Sequence, residues 1–303
     1  MMNQLLLSIC IAGLSSVASA SDVHVDVFSA KAANVNSFII FDSVGSLIVD
    51  TTRNSKEALQ VATLARTHGI PHIIFVTHGH PDHFLGMGAL KKEFPDAKIL
   101  VASQDIKDDI IEFAEMAEKN HWTDDEPLMK PKSTQNPDGF DYEQEVQVLS
   151  GNYLKLPGGE KLEVLSQSPP TEAKHETLLF SKDLNALFAS DLTYNGVHLW
   201  LGRGVDSQAI ENWKTELLSI KNKYAPFKVK VYPGHGEPTD PLIFDTDIKY
   251  INDLLMTVKS LKTQEEVTAA MEKKYPNWKG SDFLLKESIK NQFELLKGKR
   301  NAI

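Results

Sequence analysis

The chain has almost no cysteine. One of its 303 residues is a cysteine, Cys10, and it lies in an apolar stretch at the amino terminus. If that stretch is removed as a leader, the remaining chain can form no disulfide and offers no thiolate to a metal. A metal site would then have to be built from histidine and carboxylate side chains.

The sequence also lacks an excess of basic residues. It has 32 lysines and arginines against 41 aspartates and glutamates, a formal net charge of -9. Because nucleic-acid binding needs a basic patch against the phosphates, we expect no nucleic-acid partner. The expected partner is a small-molecule substrate, and the oligomeric state is left open.

Long apolar runs are confined to the first twenty residues. An apolar centre from Leu5 to Leu14 precedes the small-residue pattern Ala18-Ser19-Ala20, which is typical of signal-peptide cleavage. No lysine or arginine precedes the apolar part, and a buried amino-terminal helix is the alternative. We predict a signal peptide at residues 1–20, a periplasmic or secreted mature protein, and no membrane insertion after cleavage.

Repeats and glycine- or proline-rich linkers are missing as well, so we expect one domain over residues 21–303. Apolar runs around a short turn in "VNSFIIFDSVGSLIVDTT" predict a hairpin, and "DHFLGMGALKKEF" predicts one helix. Strand-like and helix-like segments alternate, which favours an α/β architecture. Residues from about 104 to 144 predict an insertion near the mouth of a site. The tail from about 245 to 303 is predicted to be helical.

Histidines and a carboxylate crowd one short stretch. "THGHPDH" spans residues 77–83 and follows the apolar run "PHIIFV". Three imidazoles and a carboxylate buried together without partners would destabilise the fold. A metal ion is the simplest partner that reverses this, and neutral imidazole with carboxylate suits a metal such as zinc.

Three residues further along the chain occur in similar local contexts: His175 in "TEAKHETLLF", Asp191 in "ALFASDLTY" and His235 in "VYPGHGEP". Together with the HxHxDH motif and the Gly86 that follows it, they make the sequence similar to the metallo-β-lactamase-fold superfamily from about Asn36 to His235. This resemblance implies a four-layer αββα sandwich with metals at one edge of its two sheets.

The resemblance also implies two divalent metal ions, most simply Zn²⁺, although manganese and iron share these ligands. Asp50, in "IVDT", would support the site from behind the ligands. The implied ligands are His78, His80 and His175 for the first ion, Asp82, His83 and His235 for the second, and Asp191 as a bridge between both.

The activity implied by the resemblance is hydrolysis of a small ester, thioester, lactone or amide by a metal-bridging hydroxide, with Asp82 orienting it or relaying the proton. Asp191 favours this class, because many β-lactamases of the superfamily carry cysteine or serine there. Tyr194 is similar to a tyrosine of the lactonase branch that donates to the substrate's carbonyl oxygen, and packing beside the site is the alternative. His198 is a candidate for contacting substrate or supporting the ligands. A metallo-β-lactamase, a mononuclear iron oxygenase and a non-catalytic metal-binding member of the fold are the other hypotheses.

Overall fold

The computed structural model describes residues 23–166 and 169–301, with side chains described as far as residue 296. The predicted signal peptide, and Cys10 with it, lies outside the described residues. No helix among the described residues has the length and apolar character needed to cross a membrane.

The first half of the chain forms a sheet of strand order β1-β2-β3-β4-β5-β6. The predicted hairpin is confirmed, since β2 and β3 pair antiparallel, and the strands from β3 to β6 are parallel. The elements are β1 (His24–Ser29), β2 (Asn36–Phe41), β3 (Ser46–Val49), α1 (Ser55–Arg66), β4 (Pro71–Phe75), α2 (Pro81–Phe84), α3 (Met87–Glu93), β5 (Lys98–Val101), α4 (Gln104–Lys119), α5 (Tyr142–Glu145) and β6 (Val146–Val148).

The second half forms a sheet of order β11-β10-β9-β8-β7. Its strands pair antiparallel except β10 and β11, which are parallel. The elements are β7 (Tyr153–Lys155), β8 (Lys161–Ser166), β9 (Thr177–Ser181), β10 (Ala186–Asn195), α6 (Ser207–Tyr224), β11 (Lys230–Gly236), α7 (Ile243–Ser260), α8 (Gln264–Lys274) and α9 (Lys286–Asn301).

The two sheets pack face to face with helices on both outer faces, so the predicted αββα sandwich is confirmed. Strand β2 shows why its last four residues, 38–41, are all apolar. Phe38 and Ile40 point into the core between the sheets, while Ile39 packs under α1. A strand buried on both faces needs apolar side chains at every position rather than at alternate ones.

The helix predicted after the histidine motif is split into α2 and α3 at Gly86. A Cβ at this position would lie 1.9 Å from the carbonyl oxygen of Thr51. The Gly86 amide also donates to the carbonyl oxygen of Thr52 at 3.0 Å. The β3–α1 connection, which carries Asp50, therefore packs directly against Gly86. This contact interrupts the helix and holds the connection against the histidine motif.

The segment predicted as an insertion is anchored to the domain. Helix α4 buries Ile106 and Ile110, and the Tyr142 hydroxyl, also buried, donates to the Met129 carbonyl at 2.7 Å. Phe113 of α4 lies edge-on to His80, with ring centroids 5.7 Å apart. The insertion thus supplies one wall of the histidine cluster.

Candidate metal centre

The HxHxDH motif lies at the carboxyl end of β4. His78 and His80 occupy the connection from β4 to α2, and Asp82 and His83 lie in α2 itself. The connection is short because Pro81, whose fixed φ suits the first helical position, begins the helix immediately after His80. A buried strand and a helix start therefore hold the side chains of one motif at one edge of the sheet.

Two backbone features bring Asp191 to the same place from the second sheet. Ser190 has a φ of 46°, and the pairing of β10 with β11 shifts register on both sides of it. On β11, a Cβ at Gly234 would lie 2.0 Å from Asp191 Oδ1. The irregular strand turns the carboxylate inward, and glycine on the neighbouring strand leaves room for it.

The first group of possible ligands contains two histidines of the motif, Asp191 and a glutamate. Its ligand atoms all lie within 4.8 Å of one another. His80 Nδ1 is 3.3 Å from Glu172 Oε1, and His78 Nε2 is 3.7 Å from Asp191 Oδ2. This group consists of His78, His80, Glu172 and Asp191.

The second group contains Asp82, His83 and His235, again within 4.8 Å of one another. His235 Nε2 lies 3.6 Å from Asp82 Oδ2. Asp191 also reaches this group, since its Oδ1 is 3.1 Å from His83 Nε2 and its Oδ2 is 3.3 Å from His235 Nε2. The carboxylate predicted as a bridge therefore lies between both groups.

Hydrogen bonds on the outer sides of the imidazoles fix their orientation. His83 Nδ1 lies 2.8 Å from Asp50 Oδ2, and His235 Nδ1 lies 3.1 Å from the carbonyl oxygens of Ala33 and Asn34. Because these partners are acceptors, each ring donates through Nδ1 and directs its Nε2 inward, toward Asp191. This arrangement is typical of metal-ligating histidines.

Asp50, which the resemblance implied as a support of the site, lies behind His83 and the motif loop. Its carboxylate accepts from the Thr77 amide at 2.9 Å and from the Thr77 hydroxyl at 2.9 and 3.0 Å, besides its contact with His83. Asp50 has a φ of 61°, an uncommon conformation for a residue other than glycine. The strained residue thus holds the motif loop and one imidazole together.

The residues present fit divalent cations. His78 Nε2 and Glu172 Oε2 are buried and have no hydrogen-bond partner among the described residues. Leaving such atoms unpaired costs free energy that a coordinated cation would offset. Imidazole nitrogens and carboxylate oxygens are donors that zinc, manganese and iron accept.

The electrostatics of the cluster are dominated by burial and by the mixture of imidazoles with carboxylates. Burial and the neighbouring His83 hold the pKa of His78 well below its usual value. Burial lowers the pKa of His80 too, but the Glu172 carboxylate outweighs it, and the pKa of His80 is raised to about 9. Burial raises the pKa of Asp191, but His83, His235 and their hydrogen bonds together hold it well below the usual value. Since a cation must displace protons from the imidazoles, metal affinity should fall as the pH falls.

One predicted ligand lies apart from the others. His175, predicted for the first ion, lies outside both groups and is half-buried. Its Nδ1 is 2.7 Å from Asp109 Oδ2 on α4. Glu172, three residues earlier, occupies the position beside His80 instead.

Tyr194 lies at the site, but its hydroxyl is already engaged with carboxylates. It lies 2.9 Å from Asp191 Oδ2 and 3.2 Å from Glu172 Oε1, and its ring stacks on His235 at 4.6 Å. Burial and the adjacent Asp191 raise the pKa of Tyr194, so it keeps its proton as a donor. In this arrangement Tyr194 positions ligand carboxylates rather than facing open space.

His198 is not brought into the cluster. It is fully buried on the helical side of the second sheet, where its Nδ1 lies 2.8 Å from the Tyr250 hydroxyl and its ring lies 5.8 Å from that of Trp278. The position indicates a packing role, and nearness to Asp191 in sequence was a misleading signal.

Sequence reasoning missed two buried glutamates, Glu172 and Glu176. Glu176 is 1% exposed, and its backbone forms an isolated antiparallel bridge with His78. Burial, followed by the charge of Glu172, holds its pKa well above the usual value. The available signal was "TEAKHET" itself, which offers two carboxylates beside the histidine that we favoured.

The family described as the metallo-beta-lactamase superfamily matches residues 30–235. The solved metallo-beta-lactamase family protein TTHA1429 from Thermus thermophilus is 16% identical, with 92% of this chain and 94% of that chain covered and a TM-score of 0.61. The DIM-1 metallo-beta-lactamase is 15% identical, with 76% and 93% covered and a TM-score of 0.50. No match was found among curated proteins. At these identities the solved structures show a common fold alone.

Proposed function

This chain belongs to the metallo-β-lactamase superfamily, and we propose that it is an exported hydrolase with two divalent metal ions that acts on a small ester, thioester, lactone or amide. The observation that carries the proposal is the position of Asp191. Its two carboxylate oxygens lie 3.1 to 3.7 Å from imidazole nitrogens of both ligand groups. A carboxylate placed between two cations offsets their mutual repulsion, which supports a binuclear centre over a mononuclear one.

The exposed side of the cluster supports small-molecule hydrolysis. His78, His83, His235 and Asp191 are buried, whereas the side chains of His80 and Asp82 are 18% and 15% exposed. Substrate would therefore approach on the side of His80 and Asp82. Divalent cations held there would polarise a carbonyl group and acidify bound water.

In this proposal Asp82 acts on the attacking water, and Tyr194 positions a ligand carboxylate. Asp82, partly open to solvent and 3.6 Å from His235, is placed to orient the attacking water and accept its proton. Tyr194 donates to Asp191 and keeps that carboxylate directed at the imidazoles. Its predicted contact with a substrate oxygen would require the hydroxyl to leave the carboxylates, and this contact stays a prediction.

Hydrolysis of β-lactams is the alternative that the names of the solved relatives suggest. We place it second for two reasons. An identity of 15% to DIM-1 shows only the fold. Position 191 is also an aspartate, whereas many β-lactamases of the superfamily carry cysteine or serine there. Export is proposed from the sequence of residues 1–20 alone.

A metal assay coupled to a substrate panel tests this proposal. Protein purified from its native host should start at Ser21 by mass spectrometry, hold about two metal ions per chain, and turn over at least one chromogenic ester, thioester, lactone or amide. Penicillin and cephalosporin are the comparison substrates. Strong lactam turnover alone would contradict the proposed substrate class, an intact Met1 would contradict export, and full activity in excess chelator would contradict metal-dependent hydrolysis.

A further inference from the structure

We propose that Glu172, and not His175, completes the first metal position, so that two histidines and a glutamate hold the ion there together with Asp191. The inference rests on the proposed function, since it assigns a ligand of the same centre. It departs from the three-histidine set that the superfamily resemblance implied.

The surroundings of Glu172 are those of a ligand. Its side chain is 1% exposed, and Oε1 lies 3.3 Å from His80 Nδ1. Oε1 also accepts from the Tyr194 hydroxyl at 3.2 Å, while Oε2 is buried without a hydrogen-bond partner among the described residues. A buried carboxylate with one free oxygen is unfavourable unless a cation meets it. A cation held by the first ligand group would meet this requirement.

His175 lies outside the first ligand group, and this position, rather than its contact with a carboxylate, separates it from Glu172. Asp109 Oδ2 lies 2.7 Å from His175 Nδ1, and Asp109 Oδ1 lies 3.4 Å from Lys174 Nζ. The His175 side chain is 30% exposed.

The backbone explains this direction. Glu176 pairs with His78 and is buried, and neighbouring side chains of extended chain point to opposite sides. With Glu176 turned inward, the adjacent His175 faces α4. Its ring nitrogens accordingly lie outside the group of ligand atoms around His78 and His80.

The exchange changes the chemistry of the site. A glutamate in place of a neutral imidazole adds one negative charge and replaces a nitrogen donor by oxygen. Carboxylate donors suit manganese and other hard cations, whereas imidazole favours zinc. We therefore expect Glu172→His to increase the preference for Zn²⁺ over Mn²⁺ relative to the natural chain.

The test measures metal binding and needs no substrate. Full-length mature protein, stripped by a chelator, is titrated with Zn²⁺ and Mn²⁺, and bound metal is counted after dialysis. Glu172→Gln keeps the side-chain size and removes the charge. His175→Gln removes the imidazole of the alternative ligand. Glu176→Gln is the matched control, a buried glutamate four residues further along that belongs to neither ligand group.

Loss of a ligand should exceed the roughly 10- to 100-fold fall in affinity typical of residues behind the ligands. We expect this for Glu172→Gln, with His175→Gln and Glu176→Gln within about threefold of wild type. In ¹⁵N-histidine spectra of wild type, the ring signals that disappear in His175→Gln should show no coordination shift when zinc is added. These spectra show whether His175 is a ligand even if Glu172→Gln fails to fold.

The opposite pattern overturns the inference. If His175→Gln loses metal while Glu172→Gln keeps it, or if the ring signals of His175 take a coordination shift, the third ligand is His175 and the proposed function stands. If wild type binds no metal, both the inference and the proposed function fall.

Discussion

Replacement of Asp191 by asparagine is the sharpest test of the binuclear centre. The change keeps the shape and removes one negative charge whose oxygens lie 3.1 to 3.7 Å from imidazoles of both groups. At about 3.5 Å and an effective dielectric constant of about 20, a unit charge and a dication attract by roughly 9 kcal/mol. The amide oxygen and water recover part of this loss. We expect a net loss of about 3 to 5 kcal/mol, which corresponds to roughly 100- to 5,000-fold weaker metal binding.

The assay is a competition titration of chelator-stripped protein with zinc against a chromophoric chelator. Asp247→Asn is the matched control, because Asp247 is fully buried, lies outside both ligand groups and accepts the Tyr194 amide at 3.1 Å. Burial raises the pKa of Asp247 well above its usual value and so favours the neutral carboxyl, which the amide of asparagine resembles. Retention of both zinc ions by Asp191→Asn, at an affinity within about threefold of wild type, would refute the bridging role.

Three further predictions follow from single contacts. His80→Ala should lower the bound metal and abolish hydrolysis, and metal analysis of purified protein checks it, with unchanged metal content as the contrary result. Tyr194→Phe removes a donor to Asp191 and Glu172 and should slow turnover roughly 10- to 100-fold; a wild-type kcat would assign the hydroxyl to packing alone. Burial lowers the pKa of His198 to about 4, below the value of about 6.5 expected in the unfolded chain. The unfolded chain therefore binds this proton first, and the free energy of unfolding decreases as the pH falls from about 6.5 toward 4. Between pH 7 and pH 5 wild type should lose roughly 2 kcal/mol more unfolding free energy than His198→Phe, and equal losses in urea titrations would contradict this.

The sequence by itself determined the features that depend on near neighbours. The HxHxDH spacing places two histidines in a strand-to-helix connection and Asp82 and His83 in the following turn. These side chains lie close together because their residues are neighbours in the sequence. The apolar run at residues 71–76 predicts a strand buried on both faces, and β4 has that environment. The hairpin of β2 and β3 followed from the same kind of local pattern, whereas the αββα order of layers was implied by the family resemblance.

Only the tertiary structure decided which side chains complete the cluster from far along the chain. Glu172 and His175 lie three residues apart in one irregular segment, and either could be a ligand by composition. The positions of the two side chains depend on the bridge between Glu176 and His78 and on the contact of His175 with Asp109 on α4, contacts that join residues 66 or more positions apart. The positions of the Tyr194 and His198 side chains were decided in the same way, by Asp191 and Tyr250 as partners. Local spacing fixes neighbours within a turn, whereas the direction of a side chain outside regular structure depends on what packs against it.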